Sequence, residues 1–119
     1  MKNSQDEVCP LKYLLKILGG KWKIPIICIL AGDEPKRYSV IKRRLKNITD
    51  IMLSQSLREL ENDELVNRTQ YNEVPPRVEY SLTEKGRSTI PILTIASEWA
   101  LKEMNEKSIC KSCEKCLLI

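Results

Sequence analysis

The run SQSLRELENDELVNRTQYNEVPPRVEYSLT, residues 54–83, decides the fold. Leu53, Leu57 and Leu60 recur at i, i+4 and i+7, an apolar stripe at helical spacing that turns Ser54, Gln55 and Arg58 outward. Thr49 stands where a helix N-cap belongs, so a helix is expected from there to about Asn62. Val66 to Tyr71 then reads as one strand, and Val78, Tyr80 and Leu82 alternate with Arg77, Glu79 and Ser81 in a second. In the loop between them Pro75-Pro76 removes two backbone donors and holds Arg77 beside the tip. A helix leading into a β-ribbon with an arginine at its tip is the plan of a winged helix, where one element fits the major groove and a basic wing flanks it. DNA binding is therefore the leading expectation.

Taken alone, the outward face of that helix is also what any solvated helix presents. The strands that follow favour the other reading, in which a Gln side chain pairs with adenine and an Arg with guanine. Just upstream, Lys36, Arg37, Lys42, Arg43, Arg44 and Lys46 fall within one eleven-residue stretch. They form either a solvated basic face or a phosphate-binding one. The helix expected to begin near Tyr38 or Ser39 turns Ile41 and Leu45 inward and Lys42, Arg43 and Lys46 outward.

Two further helices precede it. Leu11, Leu14, Leu15 and Leu18 recur at i, i+3, i+4 and i+7, giving a short amphipathic helix that Cys9-Pro10 enters and Gly19-Gly20 ends. Trp22 to Ala31 reads as a core helix with Gly32 as its stop, provided Pro25 lies in the first turn or at a kink. After the strands, Thr83 is expected to cap one long helix, bent by Pro91, with Ile92, Ile95, Ala96 and Trp99 on one face and Leu101 and Met104 extending it. That face either packs on its own domain or joins a second copy. Pairing suits a DNA binder, whose half-sites lie roughly 34 Å apart.

Composition bounds the alternatives. The 119 residues make one domain the natural expectation, and 42% hydrophobic with 30% charged residues describes a soluble globular chain. Lys and Arg number 20 against 16 Asp and Glu, and the net charge of +4 hints at a polyanionic partner. No stretch approaches the roughly twenty apolar residues that cross a bilayer, and Met1 to Val8 is polar, so a cytoplasmic protein without a membrane partner is expected. The chain has no histidine, which excludes histidine general-base chemistry and His-Cys zinc sites. The organisation is α+β: residues 1–8 as an N-terminal arm, 9–105 as a winged helix-turn-helix with a two-stranded wing and flanking dimerisation helices, and 106–119 as a cysteine-containing tail.

Cys9-Pro10, Gly19-Gly20-Lys21-Trp22-Lys23, Leu53-Ser54-Gln55-Ser56-Leu57-Arg58-Glu59-Leu60-Glu61 and Val74 to Thr83 (VPPRVEYSLT) together resemble the HxlR-type transcriptional regulators, a winged helix-turn-helix group akin to the MarR regulators. The resemblance spans Cys9 to Trp99, and four ordered motifs are far more specific than any one. It implies a homodimeric, non-enzymatic regulator on a pseudo-palindromic double-stranded DNA operator. The helix from Thr49 to Asn62 would enter the major groove, the loop Asn72 to Arg77 would form the wing, and the first and last helices would make the dimer. The expected DNA-contacting set is Lys42, Arg43, Lys46, Thr49, Ser54, Gln55, Arg58 and Arg77.

The resemblance also implies a role for Cys9, because relatives sense quinones, aldehydes or disulfide stress through a cysteine at this position. Independently, Pro10 as the first helical residue puts Cys9 at a helix amino terminus, where unpaired amides favour a thiolate. The alternative is a thiol that merely packs between helices. Cys28 lies in an apolar run and reads as core.

The tail cysteines Cys110, Cys113 and Cys116 lie outside the resemblance. Three accounts stand: incidental thiols, a soft-metal site for an ion such as zinc, or resolving partners for Cys9. A tetrahedral site wants a fourth ligand, which Cys9 of a second subunit or another tail would supply. No cofactor is otherwise expected. A metal-responsive regulator is thus one alternative function. A thiol-redox enzyme is a weaker one, since no thioredoxin-like βαβ pattern surrounds these cysteines, and a protein-interaction module is another.

The chain departs from the family pattern in two places, one of them a pair of residues. Glu64 stands where relatives usually have glycine, so a left-handed turn there costs about 1–2 kcal/mol unless the backbone differs. Asp50 and Ile51 stand where polar or basic residues are common. The carboxylate would face a base, cap the helix or turn away, while Ile51 would touch a thymine methyl.

Overall fold

A computed structural model describes residues 8–104, so the expectations for Cys110, Cys113 and Cys116 lie outside the described residues. The elements are α1 (Pro10–Leu18), α2 (Lys23–Ile29), β1 (Lys36–Arg37), α3 (Tyr38–Leu45), α4 (Asp50–Asn62), β2 (Val66–Tyr71), β3 (Arg77–Leu82), α5 (Glu84–Arg87) and α6 (Ile90–Glu103). None of the described helices is long and apolar enough to cross a membrane.

The sheet is antiparallel and has three strands in the order β1-β3-β2, not the two expected. Register pairs Val66 with Leu82 and Tyr71 with Arg77 in the hairpin, and Lys36 with Tyr80 across the third strand. At two charged residues, β1 is too short for alternation to reveal it in the sequence. The hairpin β2–β3 remains the wing.

The core gathers Ile26, Ile27, Leu30, Ile41, Leu53, Leu57, Leu60, Leu65 and Val66, all essentially removed from solvent. Pro25 is the third residue of α2, within the first turn, where its missing N–H leaves no helical bond broken. In α1 the leucine stripe divides. Leu18 and Ile17 are buried and Leu14 packs partly against the core, but Leu11 and Leu15 are each 67% exposed.

The junction from α4 to β2 is a Schellman turn. Leu65 N–H donates to Leu60 carbonyl (2.9 Å) and Glu64 N–H to Glu61 carbonyl (3.0 Å), with Glu64 at φ +64°. Glutamate thus keeps the left-handed geometry expected of glycine. Leu60 and Leu65 are both fully buried, and such burial contributes about 1.5–3 kcal/mol per side chain, which outweighs the strain of about 1–2 kcal/mol at Glu64.

The single long helix expected after Thr83 is two helices. Thr83 does cap α5, its Oγ1 accepting from Gly86 N–H at 2.9 Å, but the chain then breaks and α6 restarts at Ile90 with Pro91 in its first turn. Proline cannot donate to a carbonyl four residues back, so continuous helix through Pro91 would lose that bond. Thr89 fills the gap, donating from Oγ1 to the Gly86 carbonyl at 2.6 Å.

Candidate nucleic-acid interface

Between α3 and α4 the backbone turns through Lys46 (φ +50°) and Asn47 (φ +49°), two consecutive residues at positive φ. Asparagine tolerates this geometry, and buried Ile48 anchors the far side. The pair sets α3 and α4 as a helix-turn-helix. Thr49 caps α4 as expected, its Oγ1 accepting from Met52 N–H at 3.1 Å.

Leu53, Leu57 and Leu60 fix the rotation of α4 by facing the core, joined by buried Ser56. Ser54, Gln55 and Arg58 are consequently exposed on the opposite side. Ile51 projects there too, 77% exposed, an apolar side chain on an otherwise polar face. Asp50, Ile51, Ser54, Gln55, Arg58 and Glu59 line one shallow open depression.

Asp50 is turned toward α3. Its Oδ1 lies 2.8 Å from Lys42 Nζ and accepts from Tyr38 Oη at 2.8 Å, while Tyr38 Oη is 3.5 Å from Ser54 Oγ. Lys42, and then the tyrosine hydroxyl, hold the Asp50 carboxyl below its ordinary range. In turn, Asp50 raises the Lys42 ammonium above its own. Desolvation leads the upward shift at Tyr38. Of the basic residues on this side, Lys42 is therefore already ion-paired, whereas Arg43, Arg44 and Lys46 are exposed.

A second seam joins α2 to α4. Lys23 Nζ lies 2.9 Å from Glu59 Oε1, and Gln55 Nε2 donates to Glu59 Oε2 at 3.1 Å. The Lys23 side chain is 11% exposed, so much of its charge is shielded from water and directed at Glu59. Lys23 first, then Gln55, hold the Glu59 carboxyl below the ordinary range.

On the wing, Arg77 is committed within its own hairpin. Its guanidinium stacks 4.1 Å from the Tyr71 ring centroid, Nη2 lies 3.1 Å from Glu73, and Nε lies 3.7 Å from Glu79, too long for a hydrogen bond. The structure thus makes Arg77 an organiser of the wing. The tip beyond it carries fully exposed Val74 and the cis Val74–Pro75 peptide.

Cys9 is the exposed N-cap residue of α1 with Pro10 as the first helical residue, as the sequence implies. Exposed Val8 and Leu11 flank it. On α6, Ile90 and Leu93 are buried while Ile92, Ile95 and Trp99 are exposed. Cys28 is buried, as expected of a core residue.

Tyr38, Lys23 and Glu59 are the residues that sequence reasoning missed. Tyr38 precedes Lys42 by one helical turn, which was a usable signal, and Lys23 is a lone cation opening an apolar helix.

The family model described as HxlR-like helix-turn-helix matches residues 17–108. An HTH-type transcriptional regulator of Halalkalibacterium halodurans is 49% identical over 105 residues, covering 88% of this chain and 91% of that protein. The crystal structure of YtcD, described as an HTH-type transcriptional regulator, superposes with a TM-score of 0.78 at 44% identity and covers 83% of this chain and 100% of that one. The redox regulator HypR in its oxidised form superposes with a TM-score of 0.72 at 42% identity, over 85% of this chain and 100% of that one.

Proposed function

The chain belongs to the HxlR-like helix-turn-helix family of transcriptional regulators, and from that premise we propose that it is a cytoplasmic homodimer on a pseudo-palindromic double-stranded DNA operator, switched by oxidants, quinones or aldehydes at Cys9. The observation that carries the reading is the two-sided character of α4. Its leucines are locked into the core while Ser54, Gln55 and Arg58 face outward, and Arg43 and Lys46, around the end of the preceding helix, are exposed as well. Side chains of these types meet base edges and phosphates in the major groove.

Support for pairing comes from Leu11 and Leu15 on α1 and Ile92, Ile95 and Trp99 on α6, large apolar groups left in water. Covering them against a second copy recovers about 1.5–3 kcal/mol for each fully buried side chain. Two copies also supply two reading helices at a fixed separation, which paired half-sites require.

Cys9 stands at the start of α1, between exposed Val8 and the exposed Leu11 of that helix. Loss of two protons and two electrons to an oxidant such as diamide would join it to another thiol, and a quinone would add to its sulfur directly. Either change alters how the copies pack and hence the spacing of the reading helices. The likeness to HypR, described as a redox regulator, supports this reading. No cofactor enters it. Cys110, Cys113 and Cys116 lie outside the described residues, and the switch at Cys9 does not require a metal on them.

Fluorescence anisotropy on an operator duplex, before and after diamide, in wild type and Cys9→Ser, tests the switch. Binding that diamide changes only when Cys9 is present supports it. Binding indifferent to diamide, or changed equally in Cys9→Ser, removes Cys9 from the function.

A further inference from the structure

Gln55 reaches the candidate interface with its amide already half used. A carboxylate only accepts hydrogen bonds, so the group Gln55 turns toward Glu59 must be its NH2, as the 3.1 Å contact from Nε2 records. Glu59 is itself held at 2.9 Å by Lys23, whose side chain is largely shielded from water. α2 also contributes Ile26 and Ile27 to the core, which fixes the backbone that carries Lys23. A free glutamine on a helix surface samples several rotamers and both amide orientations, and settling on one costs entropy at the moment of binding.

We infer that Lys23 and Glu59 are positioning residues that fix the amide of Gln55 with its carbonyl oxygen presented to the groove, so that this position selects a base edge offering a hydrogen-bond donor.

One amide N–H is spent on Glu59, which leaves Oε1 and the second N–H. That pair matches adenine, whose N6 amino group donates and whose N7 accepts. Cytosine, with an N4 donor, satisfies only the oxygen. Guanine presents two acceptors, O6 and N7, and would set O6 against Oε1. The preferred order is adenine, then cytosine, with guanine rejected. Such pairing discriminates by about 1–3 kcal/mol, or roughly 5- to 150-fold in affinity. Specificity at α4 therefore depends on a lysine of another helix that need not touch DNA.

The inference rests on α4 entering the major groove, and the test keeps the two claims apart. The full-length protein is used to enrich duplexes from a randomised double-stranded library, giving a base preference at every position. Wild type, Lys23→Met, Glu59→Gln, Lys23→Arg and Gln55→Ala are compared, each with its thermal midpoint. We expect one position per half-site where wild type prefers adenine, and Gln55→Ala abolishes that preference. Lys23→Met and Glu59→Gln should each reduce it at least about 3-fold while leaving other positions unchanged, and Lys23→Arg should restore it. A merely structural ion pair would lower the thermal midpoint and weaken every position alike. An enriched motif whose Gln55 position favours guanine, or is indifferent to both Lys23→Met and Glu59→Gln, overturns the inference but leaves DNA reading intact. Failure of wild type to enrich any motif removes the DNA reading and the inference with it.

Discussion

The Lys42 ammonium and the Asp50 carboxylate lie 2.8 Å apart, so the first residue of α4 neutralises a lysine at the end of α3. A cation held this way meets a phosphate only by leaving its partner. Asp50→Asn should free Lys42 and remove a negative charge from the DNA-facing side. Affinity for any duplex should rise several-fold at about 0.1 M salt, and the slope of log affinity against log salt should steepen by about one. Tyr38 retains an acceptor in the asparagine carbonyl, so the fold should be little affected. Titrations at several salt concentrations check this, and an unchanged slope would place Lys42 away from phosphate.

Arg77 carries a different expectation from the one its sequence position implied. It is stacked on Tyr71 and faced by Glu73 and Glu79, so its charge is largely cancelled inside the wing. Arg77→Ala should destabilise the protein by about 1 kcal/mol and speed amide exchange in β2 and β3, with the salt slope nearly unchanged. A slope lower by one, with the wing intact, would restore Arg77 as a phosphate contact.

The α4–β2 junction predicts changes of opposite sign. Glu64 occupies φ +64°, so Glu64→Gly should raise stability by about 1 kcal/mol, seen as a higher urea midpoint at constant m. Gly86 packs against the same turn, where a Cβ would collide with the Leu65 carbonyl oxygen. Gly86→Ala should cost about 1–3 kcal/mol.

Acid should weaken the Lys23–Glu59 seam. The Glu59 carboxyl is held below its ordinary value in the folded protein, chiefly by Lys23. Its contribution is therefore present above the unfolded-state value and is lost as pH falls through the lower folded-state value. Between about pH 5 and pH 3 the thermal midpoint of Glu59→Gln should fall less steeply than that of wild type. Parallel curves would mean that the seam contributes nothing measurable to stability.

Much of this was readable from residue order. The stripe Leu53, Leu57, Leu60 fixed which side of α4 faces out, Thr49 marked its start, and the alternation Val78, Tyr80, Leu82 gave β3. What escaped depended on contacts between elements. β1 exists only because β3 offers it a partner, so two charged residues became a strand. Leu11 and Leu15 carry the same side chain as Leu18, and only the packing of neighbouring helices decides that they stay exposed. Lys23 and Glu59 lie far apart in sequence and meet because α2 and α4 share a core. Pro91 signals a break in the helix pattern, but it opens α6 instead of bending a continuous helix.

In the proposed function the outward face of α4 reads DNA as one half of a symmetric pair. Sedimentation of the reduced protein with a library-selected duplex, alongside anisotropy of the double variant Gln55→Ala/Arg58→Ala, tests it most directly. Two protomers should bind each duplex, on inverted half-sites about one helical turn apart. The double variant, still folded and dimeric, should lose discrimination between selected and scrambled duplex. A single protomer per duplex, or full discrimination retained by the double variant, would contradict it.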